Sequence, residues 1–402
     1  MKIVRIIARL NVGGPARHVV WLSKELNDTE FQTELLAGTV PEGEEDMNWF
    51  AAENSVEPVF IEEMSRELSP KDVISLWKIY RALKEAKPDI VHTHTAKAGT
   101  IGRIAALLYR IFSGKKVKIV HTFHGHIFHS YYGKSKTKIF LIIEKILARL
   151  ATDKIITISR LQFEEINGQF GIGEKEQFKV IPLGIDLEKF AQAKAKREVL
   201  RKEINAKNNE ILVGFVGRLT EIKNVSLLLK VAALYRERTD PNLPQIRFII
   251  IGDGNLRNEL EAEAESLKLN KTVDFLGNRN DADIFYAGLD IVALVSKNEG
   301  TPLSLIEAMA NEKPVISTAV GGVADLLGDT ESEFDRFKVC GRGVRIDDVS
   351  AENFLDGLIY LAKNEKLQKS LAKNGKDFVK MQYGKMRLVE DIKNLYRDLI
   401  KN

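Results

Sequence analysis

Short apolar runs of strand length alternate with segments of helical periodicity along almost the whole chain. Apolar strands separated by helices are typical of parallel sheets, because helices bury both faces of such a sheet. The alternation predicts an α/β fold with one doubly wound, Rossmann-like domain in each half of the chain. The predicted strands are 2–8, 89–94, 117–123, 154–159, 178–183, 211–217, 247–252, 273–277, 290–296, 313–318 and 343–346, and the predicted helices of the first half are 16–26, 71–86, 99–113 and 136–151.

The domain boundary is predicted within PLGIDLEKF (182–190), where an apolar run ends in a Pro/Gly stretch before a charged segment. We expect a first domain over 1–184, a second over 185–384, and a C-terminal helix at about 385–402 that packs back on the first. Open α/β sheets bind ligands at the carboxyl ends of their strands. The two domains are therefore expected to face each other across a crevice that holds the substrate.

The composition excludes several classes of protein. A chain of 402 residues with 44% hydrophobic and 29% charged residues is an ordinary globular composition, and it is too long for one compact core. The single cysteine, Cys340, excludes an intramolecular disulfide and fits a reducing compartment. Arg5 and Arg9 interrupt the first apolar run, and no later run is long enough for a membrane span. We therefore expect a cytoplasmic protein.

The net charge is only +4, but bases are concentrated between Lys97 and Lys154. Such a basic block can attract phosphates, an anionic membrane surface or nucleic acid, although a solvated lysine-rich face is an equally good explanation. The apolar helical faces within the block favour a membrane surface, and we predict no nucleic-acid partner. The bases are Lys97, Arg103, Arg110, Lys115, Lys116, Lys118, Lys134, Lys136, Lys138, Lys145, Arg149 and Lys154, opposed by Glu144 and Asp153.

The stretch EGTPLSLIEAM (299–309) follows a predicted strand and opens a helix. Thr301 is predicted as the N-cap and Pro302 as the first helical residue. The free N–H groups and positive end of this helix would suit a diphosphate. Glu299 and Glu307 could then accept hydrogen bonds from two parts of one long ligand. The alternative is two glutamates that bind no ligand.

Two further loops carry groups suited to phosphate. VGRLTEIKN (216–224) places Arg218 and Lys223 after a strand, where they could clamp a diphosphate and stabilise its charge as it leaves. VGGPARHV (12–19) places Gly13 and Gly14 where the backbone could approach a phosphate or sugar closely. Two solvated bases and a structural tight turn are the respective alternatives. IGDGNLRNEL (251–260) is only a weak dinucleotide fingerprint.

Histidines and one acidic pair raise the question of a metal. Six of the seven histidines lie in HTHT (92–95) and HTFHGHIFH (121–129), but no nearby carboxylate or cysteine completes a metal site. The Asp281-Ala282-Asp283 stretch is interpreted as a helix cap and dipole partner. We therefore predict no metal site.

Taken together, these stretches resemble glycosyltransferase family 4, the retaining enzymes of the GT-B fold. The resemblance rests on EGTPLSLIEAMANEKPVISTAVGG (299–322) together with NVGGPARHV, IPLGIDLEKF, VGRLTEIKN and IGDGNLRNEL, and it covers nearly the whole chain. It implies that Glu299 binds donor-sugar hydroxyls, Glu307 the ribose, and Arg279 the region of the base. It also implies that His124 contacts the donor sugar near the reacting carbon, and the remaining histidines are expected to line the acceptor pocket.

The predicted function is transfer of a hexosyl unit, with retention, from a nucleotide sugar to a hydroxyl acceptor. The expected acceptor is a lipid-linked sugar in polysaccharide or glycan biosynthesis. The donor is expected to be a UDP-hexose or UDP-N-acetylhexosamine, and no cofactor is expected. A nucleotide-sugar epimerase and a noncatalytic nucleotide-binding protein remain alternatives; a glycoside hydrolase is disfavoured by the diphosphate clamp. The predicted catalytic residues are His124, Glu299, Arg218 and Lys223, and the predicted donor-binding residues are Gly13, Gly14, Arg218, Lys223, Arg279, Glu299, Gly300, Thr301, Pro302, Leu303 and Glu307.

Overall fold

A computed structural model describes residues 1–11, 13–40, 46–64, 69–124, 134–190 and 193–401. The chain forms two compact units, one of Met1–Gly184 with Lys385–Asn402 and one of Ile185–Gly384. These limits coincide with the predicted domain boundaries. Among the described residues, no helix combines the length and the hydropathy that a membrane crossing needs.

The first unit is built on a seven-stranded, wholly parallel sheet of order β3-β2-β1-β4-β5-β6-β7. The chain first adds strands on one side of β1 and then returns to add β4 on its other side, so the order reverses between β1 and β4. This reversal is the place where open α/β sheets bind ligands. The strands are β1 (Lys2–Ile7), β2 (Gln32–Gly38), β3 (Val59–Ile61), β4 (Ile90–His94), β5 (Lys118–Phe123), β6 (Lys154–Thr157) and β7 (Phe178–Val180).

Helices cover both faces of this sheet. Apolar residues of β1, β4 and β5 alternate between a core under α3 and α4 and separate cores on the opposite face, as the two-residue period of a strand requires. The described helices are α1 (Gly14–Glu25), α2 (Asn48–Glu53), α3 (Asp72–Ala86), α4 (Ala96–Ser113), α5 (Lys134–Leu150) and α6 (Arg160–Phe163), which continues as a π-helix over Glu164–Gln169.

The second unit repeats this plan in an eight-stranded sheet of order β10-β9-β8-β11-β12-β15-β14-β13. Its order reverses between β8 and β11, and only the β13–β14–β15 edge is antiparallel. The strands are β8 (Glu210–Val216), β9 (Gln245–Ile251), β10 (Val273–Gly277), β11 (Ile291–Leu294), β12 (Val315–Thr318), β13 (Thr330–Glu333), β14 (Lys338–Cys340) and β15 (Gly343–Ile346), and the described helices are α7 (Ala193–Glu203), α8 (Val225–Glu237), α9 (Arg257–Ser266), α10 (Ala282–Gly288), α11 (Leu303–Ala310), α12 (Val323–Leu327), α13 (Ala351–Lys363) and α14 (Glu365–Tyr383).

The last helix, α15 (Lys385–Lys401), returns to the first unit. Leu388, Ile392 and Tyr396 lie on one face of this helix and pack with Ile3 and Val120 of the first sheet. The i, i+4 spacing of the three residues is that of an amphipathic helix on a core. The first unit is therefore completed by residues from the far end of the chain.

Candidate active site

The opening of α11 lies directly after β11, on one side of the strand-order reversal in the second sheet. The predicted cap is wrong by one residue: the helix begins at Leu303, Pro302 occupies the N-cap position with ψ 80°, and no side chain caps the helix. Because a ψ of this size is not helical, Pro302 cannot be the first helical residue, and Thr301 lies outside the cap. At the start of α11, the Leu303 and Leu305 N–H groups donate to the carbonyls of Thr301 and Pro302 at 2.9 and 3.1 Å. The Ser304 N–H has no acceptor among the described residues and is available for a ligand.

Glu299 and Lys223 form a close ion pair. Lys223 lies on the loop after β8, in the single helical turn Glu221–Lys223, and its Nζ donates to Glu299 Oε1 at 2.6 Å. The Ser296 hydroxyl donates to the same oxygen at 2.6 Å. Oε2 makes no hydrogen bond to any residue in the described ranges and can receive ligand hydroxyls. Two predicted site residues that are far apart in sequence thus meet at the strand-order reversal.

The glycine pair after β12, Gly321 and Gly322, packs closely against the backbone of the loop that carries Glu299. Gly321 has φ +52°, and a Cβ built on it would lie 1.8 Å from the carbonyl oxygen of Glu299. A Cβ on Gly322 would lie 2.1 Å from the carbonyl oxygen of Gly300, and the Gly322 N–H donates to the Glu299 carbonyl at 3.1 Å. Only glycine allows the two backbones to approach this closely.

The glycines of IGDGNL likewise pack closely against the backbone of the loop that carries Arg218. A Cβ on Gly252 would lie 2.0 Å from the carbonyl oxygen of Gly217, and one on Gly254 would lie 2.4 Å from that of Leu219. The Leu219 N–H also donates to the Asp253 carbonyl at 2.9 Å. These glycines therefore allow two loops to pack closely against each other.

Arg218 and Glu307 complete the predicted diphosphate and ribose groups. Arg218 is exposed, and its side chain makes no ion pair or hydrogen bond within the part of the chain that the structure describes, so its guanidinium is available to an anion. Glu307 accepts from the Tyr286 hydroxyl at 3.2 Å, and Lys189 Nζ lies 3.8 Å from its other oxygen. Burial, with the adjacent Glu307 charge, raises the pKa of Tyr286, so this phenol remains a donor.

Arg279 and the Asp281–Asp283 stretch form ion pairs within the second unit. Arg279 pairs with Asp281 and Glu203, both at 2.5 Å, and its assignment to the nucleotide base stays a prediction. Asp281 precedes α10 but its carboxylate caps no backbone N–H, because it is held by Arg279; Asp283 is paired with Lys196. The predicted cap is therefore wrong, and both carboxylates are held in ion pairs instead.

In the first unit, the predicted site residues Gly13, Gly14 and His124 lie near the strand-order reversal between β1 and β4. Gly13 occupies the N-cap of α1, which has no side-chain cap, and Gly14 is its first residue. His94 ends β4 and His124 directly follows β5, and the two rings are joined by a hydrogen bond of 2.9 Å between Nδ1 of His94 and Nε2 of His124. His18 of α1 contacts the edge of His124 with ring centroids 4.8 Å apart.

Burial keeps this histidine cluster neutral. It lowers the pKa of His124 to about 3 and places the pKa of His18 and His94 well below the ordinary value. The expectation that the other histidines line a pocket needs correction: His94 is fully buried, His18 is 3% exposed, and two further histidines are enclosed in the core. His92 and His121 are fully buried and bonded to neighbours: His92 to Tyr396 and Thr122, His121 to Thr93. His126 and His129 lie outside the described residues.

Nitrogens of His18, His94 and His124 lie within 4.8 Å of one another, so this group could hold a metal ion. Its surroundings are positive, however. The buried Arg5 guanidinium and Arg387 both contribute to the lowered pKa of His18. A cation bound to these nitrogens would be opposed by the same charges. The prediction of no metal site stays a prediction.

Sequence reasoning missed Ser296, Tyr286 and His94 as partners of the site. Ser296 and Tyr286 orient the two glutamates, and His94 holds His124. Ser296 and His94 could have been predicted as site residues, because each lies at the carboxyl end of a central strand. Tyr286 lies on α10, and no sequence pattern links it to Glu307.

Known protein families match both units of the chain. The family described as Glycosyltransferase Family 4 matches residues 12–189, and that described as Glycosyl transferases group 1 matches residues 196–378. The structure of Anabaena Alr3699/HepE in complex with UDP superposes with a TM-score of 0.80 and 20% identity, covering 99% of this chain and 100% of that one. This similarity shows that the fold is GT-B.

Two curated relatives span most of the chain. UDP-Gal:alpha-D-GlcNAc-diphosphoundecaprenol alpha-1,3-galactosyltransferase of Escherichia coli is 31% identical over 360 residues, which cover 87% of this chain and 86% of the relative. The putative glycosyltransferase EpsD of Bacillus subtilis is 26% identical, over a match that covers 82% of this chain and 82% of the relative. The chain therefore belongs to glycosyltransferase family 4 and is a glycosyltransferase of the GT-B fold.

Proposed function

We propose that this enzyme transfers a hexosyl unit from a UDP-sugar to a hydroxyl of a polyprenyl-diphosphate-linked sugar, with retention of the anomeric configuration. The observation that carries the proposal is the grouping of Arg218, the Lys223–Glu299 pair and the uncapped start of α11 at the strand-order reversal of the second unit. A diphosphate needs positive charge and N–H donors, and this grouping offers both.

Each group has a part in the proposed reaction. The guanidinium of Arg218 and the start of α11 bind the diphosphate, Oε2 of Glu299 accepts hydroxyls of the transferred sugar, and Glu307 accepts those of the ribose. The bond between the anomeric carbon and the diphosphate oxygen breaks while positive charge stabilises the departing diphosphate. The acceptor oxygen bonds to the same face of the carbon, and its proton passes to the leaving diphosphate. His124 contacts an oxygen of the sugar substrate.

The relatives support the choice of substrates. The name of the E. coli relative includes both UDP-galactose and a diphosphoundecaprenol-linked sugar, and the HepE structure contains UDP. For this chain, a thermal-shift screen of UDP- and GDP-sugars should show stabilisation by one UDP-sugar. Product analysis with a polyprenyl-diphosphate-linked N-acetylglucosamine acceptor should then show an α-linked disaccharide from an α-linked donor.

Three outcomes of this experiment would contradict the proposal. Conversion of the UDP-sugar without acceptor into an epimer would indicate an epimerase. Binding of the nucleotide sugar without turnover on any acceptor would indicate a noncatalytic protein. An inverted linkage in the product would refute retention while leaving the transferase assignment intact.

A membrane surface is proposed as the place where the acceptor is met. Apolar residues as well as bases of the basic block face outward. On α5, Ile139, Ile142, Ile146 and Leu150 are 50–57% exposed and follow helical spacing. Exposed bases share this surface: Lys138, Lys145 and Arg149. A stripe of apolar residues bordered by bases is the pattern of helices that lie on anionic bilayers.

Not every base of the basic block is free to contact a membrane surface. Arg103 forms a buried pair with Glu144, and Lys97 pairs with Asp72 at 2.7 Å with a side chain only 6% exposed. Lys115 and Lys116 are exposed at the end of α4, beside Phe112, which is 73% exposed. Each base near an anionic surface contributes about 1 kcal/mol, so the remaining exposed bases suffice for reversible attachment.

Vesicle cosedimentation tests the membrane proposal. The protein should bind anionic vesicles at low salt, and binding should fall when Lys115, Lys116 and Lys118 are replaced by Glu. The charge-matched control replaces Lys366, Lys369 and Lys373, which are exposed on α14 of the second unit. Absence of binding at low salt, or equal losses in the two triple variants, would refute this surface and favour a soluble acceptor.

A further inference from the structure

A second cleft opens on the second unit beside the turn between β13 and β14. Its volume is about 610 Å³, and none of the predicted donor-site residues lines it. Its walls come from the loop after α8, the β13–β14 turn and one face of α13. The lining residues of α13 follow the three- and four-residue spacing of a single helix face: Asp356, Ile359, Tyr360 and Lys363. A cleft of this size lies within the range of ligand sites in proteins.

Three aromatic rings form one wall of this cleft. Phe337 is 8% exposed and stacks on Phe334, with ring centroids 4.6 Å apart and an interplanar angle of 19°. The Tyr360 ring lies 4.8 Å from that of Phe334. The Phe334 N–H donates to the Phe337 carbonyl at 2.9 Å, which closes the turn and fixes both rings. Since Phe337 covers one face of the Phe334 ring, which is 38% exposed, the exposed part lies on the other face and the rim.

The charged groups around the rings are paired with each other. Asp356 accepts from Arg238 at 3.1 Å and from Arg336 at 2.7 Å. Lys363 Nζ lies 3.4 Å from an oxygen of Asp240. Because three cations and two carboxylates largely neutralise each other, the cleft offers no strong field to a phosphate or an ammonium group. All five side chains are at least 30% exposed, so they can still exchange hydrogen bonds with the hydroxyls of a ligand.

Two further polar groups of the cleft are unpaired and reach solvent. The Tyr360 hydroxyl makes no hydrogen bond to any described residue. Asn364 Oδ1 accepts from the Leu367 N–H at 3.0 Å as the cap of α14, which holds the amide in one orientation. Its Nδ2 has no acceptor within the described ranges. The cleft thus combines a phenol and an amide with an exposed aromatic surface and a balanced set of charges.

We propose that this cleft is a noncatalytic site for a neutral oligosaccharide. A sugar ring presents weakly positive C–H groups on its face, and these pack on the negative face of an aromatic ring such as Phe334. Its hydroxyls both donate and accept, which matches the phenol, the amide and the paired charges. The proposal concerns a site outside the predicted donor site and does not depend on the identity of donor or acceptor. Such a site would hold a glycan chain on the enzyme between transfers.

Fluorine NMR tests binding at this cleft directly. The full chain, with 4-fluorophenylalanine in place of Phe334, is titrated with neutral oligosaccharides of glucose, galactose and N-acetylglucosamine. At least one of them should shift the fluorine resonance in a saturable way, and UDP should not displace it. Absence of a shift with all three kinds of sugar overturns the proposal, even where uridine shifts the resonance. Displacement of the sugar by UDP overturns it as well.

Calorimetric titration of variants with the same oligosaccharide gives the second readout. Phe334→Ala should raise the Kd about tenfold or more, because the aromatic face is lost, whereas Phe334→Trp should retain binding. Tyr360→Phe keeps the packing and removes one hydroxyl, so the Kd should rise about two- to tenfold. Phe112→Ala is the matched control, since Phe112 is a 73% exposed phenylalanine of the first unit. Equal losses in Phe334→Ala and Phe112→Ala, or unchanged binding in Tyr360→Phe, would refute the proposal.

A variant of the donor site separates this cleft from the active site. Arg218→Ala should leave the Kd for the oligosaccharide unchanged, because Arg218 does not line the cleft. Loss of oligosaccharide binding in this variant would place the sugar in the active site and overturn the proposal. Oligosaccharide binding that depends on Phe334, in a protein that transfers no sugar, would refute the proposed function alone.

Discussion

Replacing Glu299 by alanine should affect stability and turnover together. Its carboxylate is 8% exposed and accepts from Lys223 and Ser296, each at 2.6 Å. Hydrogen bonds to charged groups contribute about 1.5–3 kcal/mol each, and breaking a buried ion pair costs about 3–5 kcal/mol. Because Lys223 is 20% exposed and water can partly replace the carboxylate, we expect a loss of about 3 kcal/mol.

The loss should be visible in thermal and functional measurements. The second unit comprises Ile185–Gly384, a size at which 1 kcal/mol shifts Tm by about 2–4 °C. Glu299→Ala should therefore lower the Tm of this unit by about 6–12 °C. Its kcat should fall while the Kd for UDP, measured by calorimetry, stays within about threefold. Glu307→Ala should instead raise the Kd for UDP about 10- to 150-fold, the equivalent of one charged hydrogen bond.

A double-variant cycle shows whether the Lys223–Glu299 pair is responsible. Lys223→Met removes the charge that Glu299→Ala leaves unpaired, so the double variant should be more stable than the sum of the single losses predicts. Glu365→Ala is the matched control, because Glu365 forms an exposed ion pair with Lys369 in the same unit. Additive stability losses would refute the pairing argument. Equal and negligible effects of Glu299→Ala and Glu307→Ala on kcat and UDP binding would refute the donor-site assignment.

Three further outcomes are expected. Activity should survive EDTA, because protein groups supply the positive charge at the diphosphate; loss of activity that Mn²⁺ or Mg²⁺ restores would contradict this. Gly321→Ala should weaken UDP binding, since its Cβ would lie 1.8 Å from the Glu299 carbonyl oxygen, whereas Gly168→Ala, with nothing within 4 Å, should leave it unchanged. Stability should fall as the pH drops below about 6.5, because burial lowers the pKa of several histidines in the folded chain and the unfolded chain then binds more protons. This contribution to stability is complete above the pKa of histidine in the unfolded chain. It is lost as the pH falls toward the pKa values of the folded chain, at about 1.4 kcal/mol per pH unit for each histidine. Urea denaturation between about pH 5 and 7.5 that shows no such slope would contradict this expectation.

The fold was predictable where burial leaves a clear pattern. β1, β4 and β5 are buried along most of their length, so their apolar runs were visible, and the domain limits followed from the Pro/Gly stretch after β7. β2 was missed because it begins Gln-Thr-Glu and only its last four residues are buried. β13 was missed because all four of its residues are exposed, so that its place in the sheet depends on backbone pairing with β14.

The sequence predicts which residues form the candidate site, but it does not predict which of them contact each other. Lys223 and Glu299 are separated by 76 residues, and their spacing alone does not predict a 2.6 Å contact. They meet because β8 and β11 are adjacent at the strand-order reversal, a consequence of sheet topology. His94 and His124 meet for the same reason at the ends of β4 and β5. Tertiary pairing, which sequence periodicity does not encode, therefore determines which of the predicted residues act together.

Arg218 should matter more than Lys223 for holding the diphosphate. The charge of Lys223 is balanced by Glu299 at 2.6 Å, whereas exposed Arg218 has no carboxylate partner within the described ranges. A planar guanidinium also binds two phosphate oxygens through parallel N–H donors, whereas an ammonium acts as a compact point charge. We therefore expect Arg218→Ala to weaken UDP binding at least tenfold, about 1.4 kcal/mol, and Lys223→Met to weaken it less. The reverse order in calorimetric titrations would mean that Lys223 leaves Glu299 when the nucleotide binds.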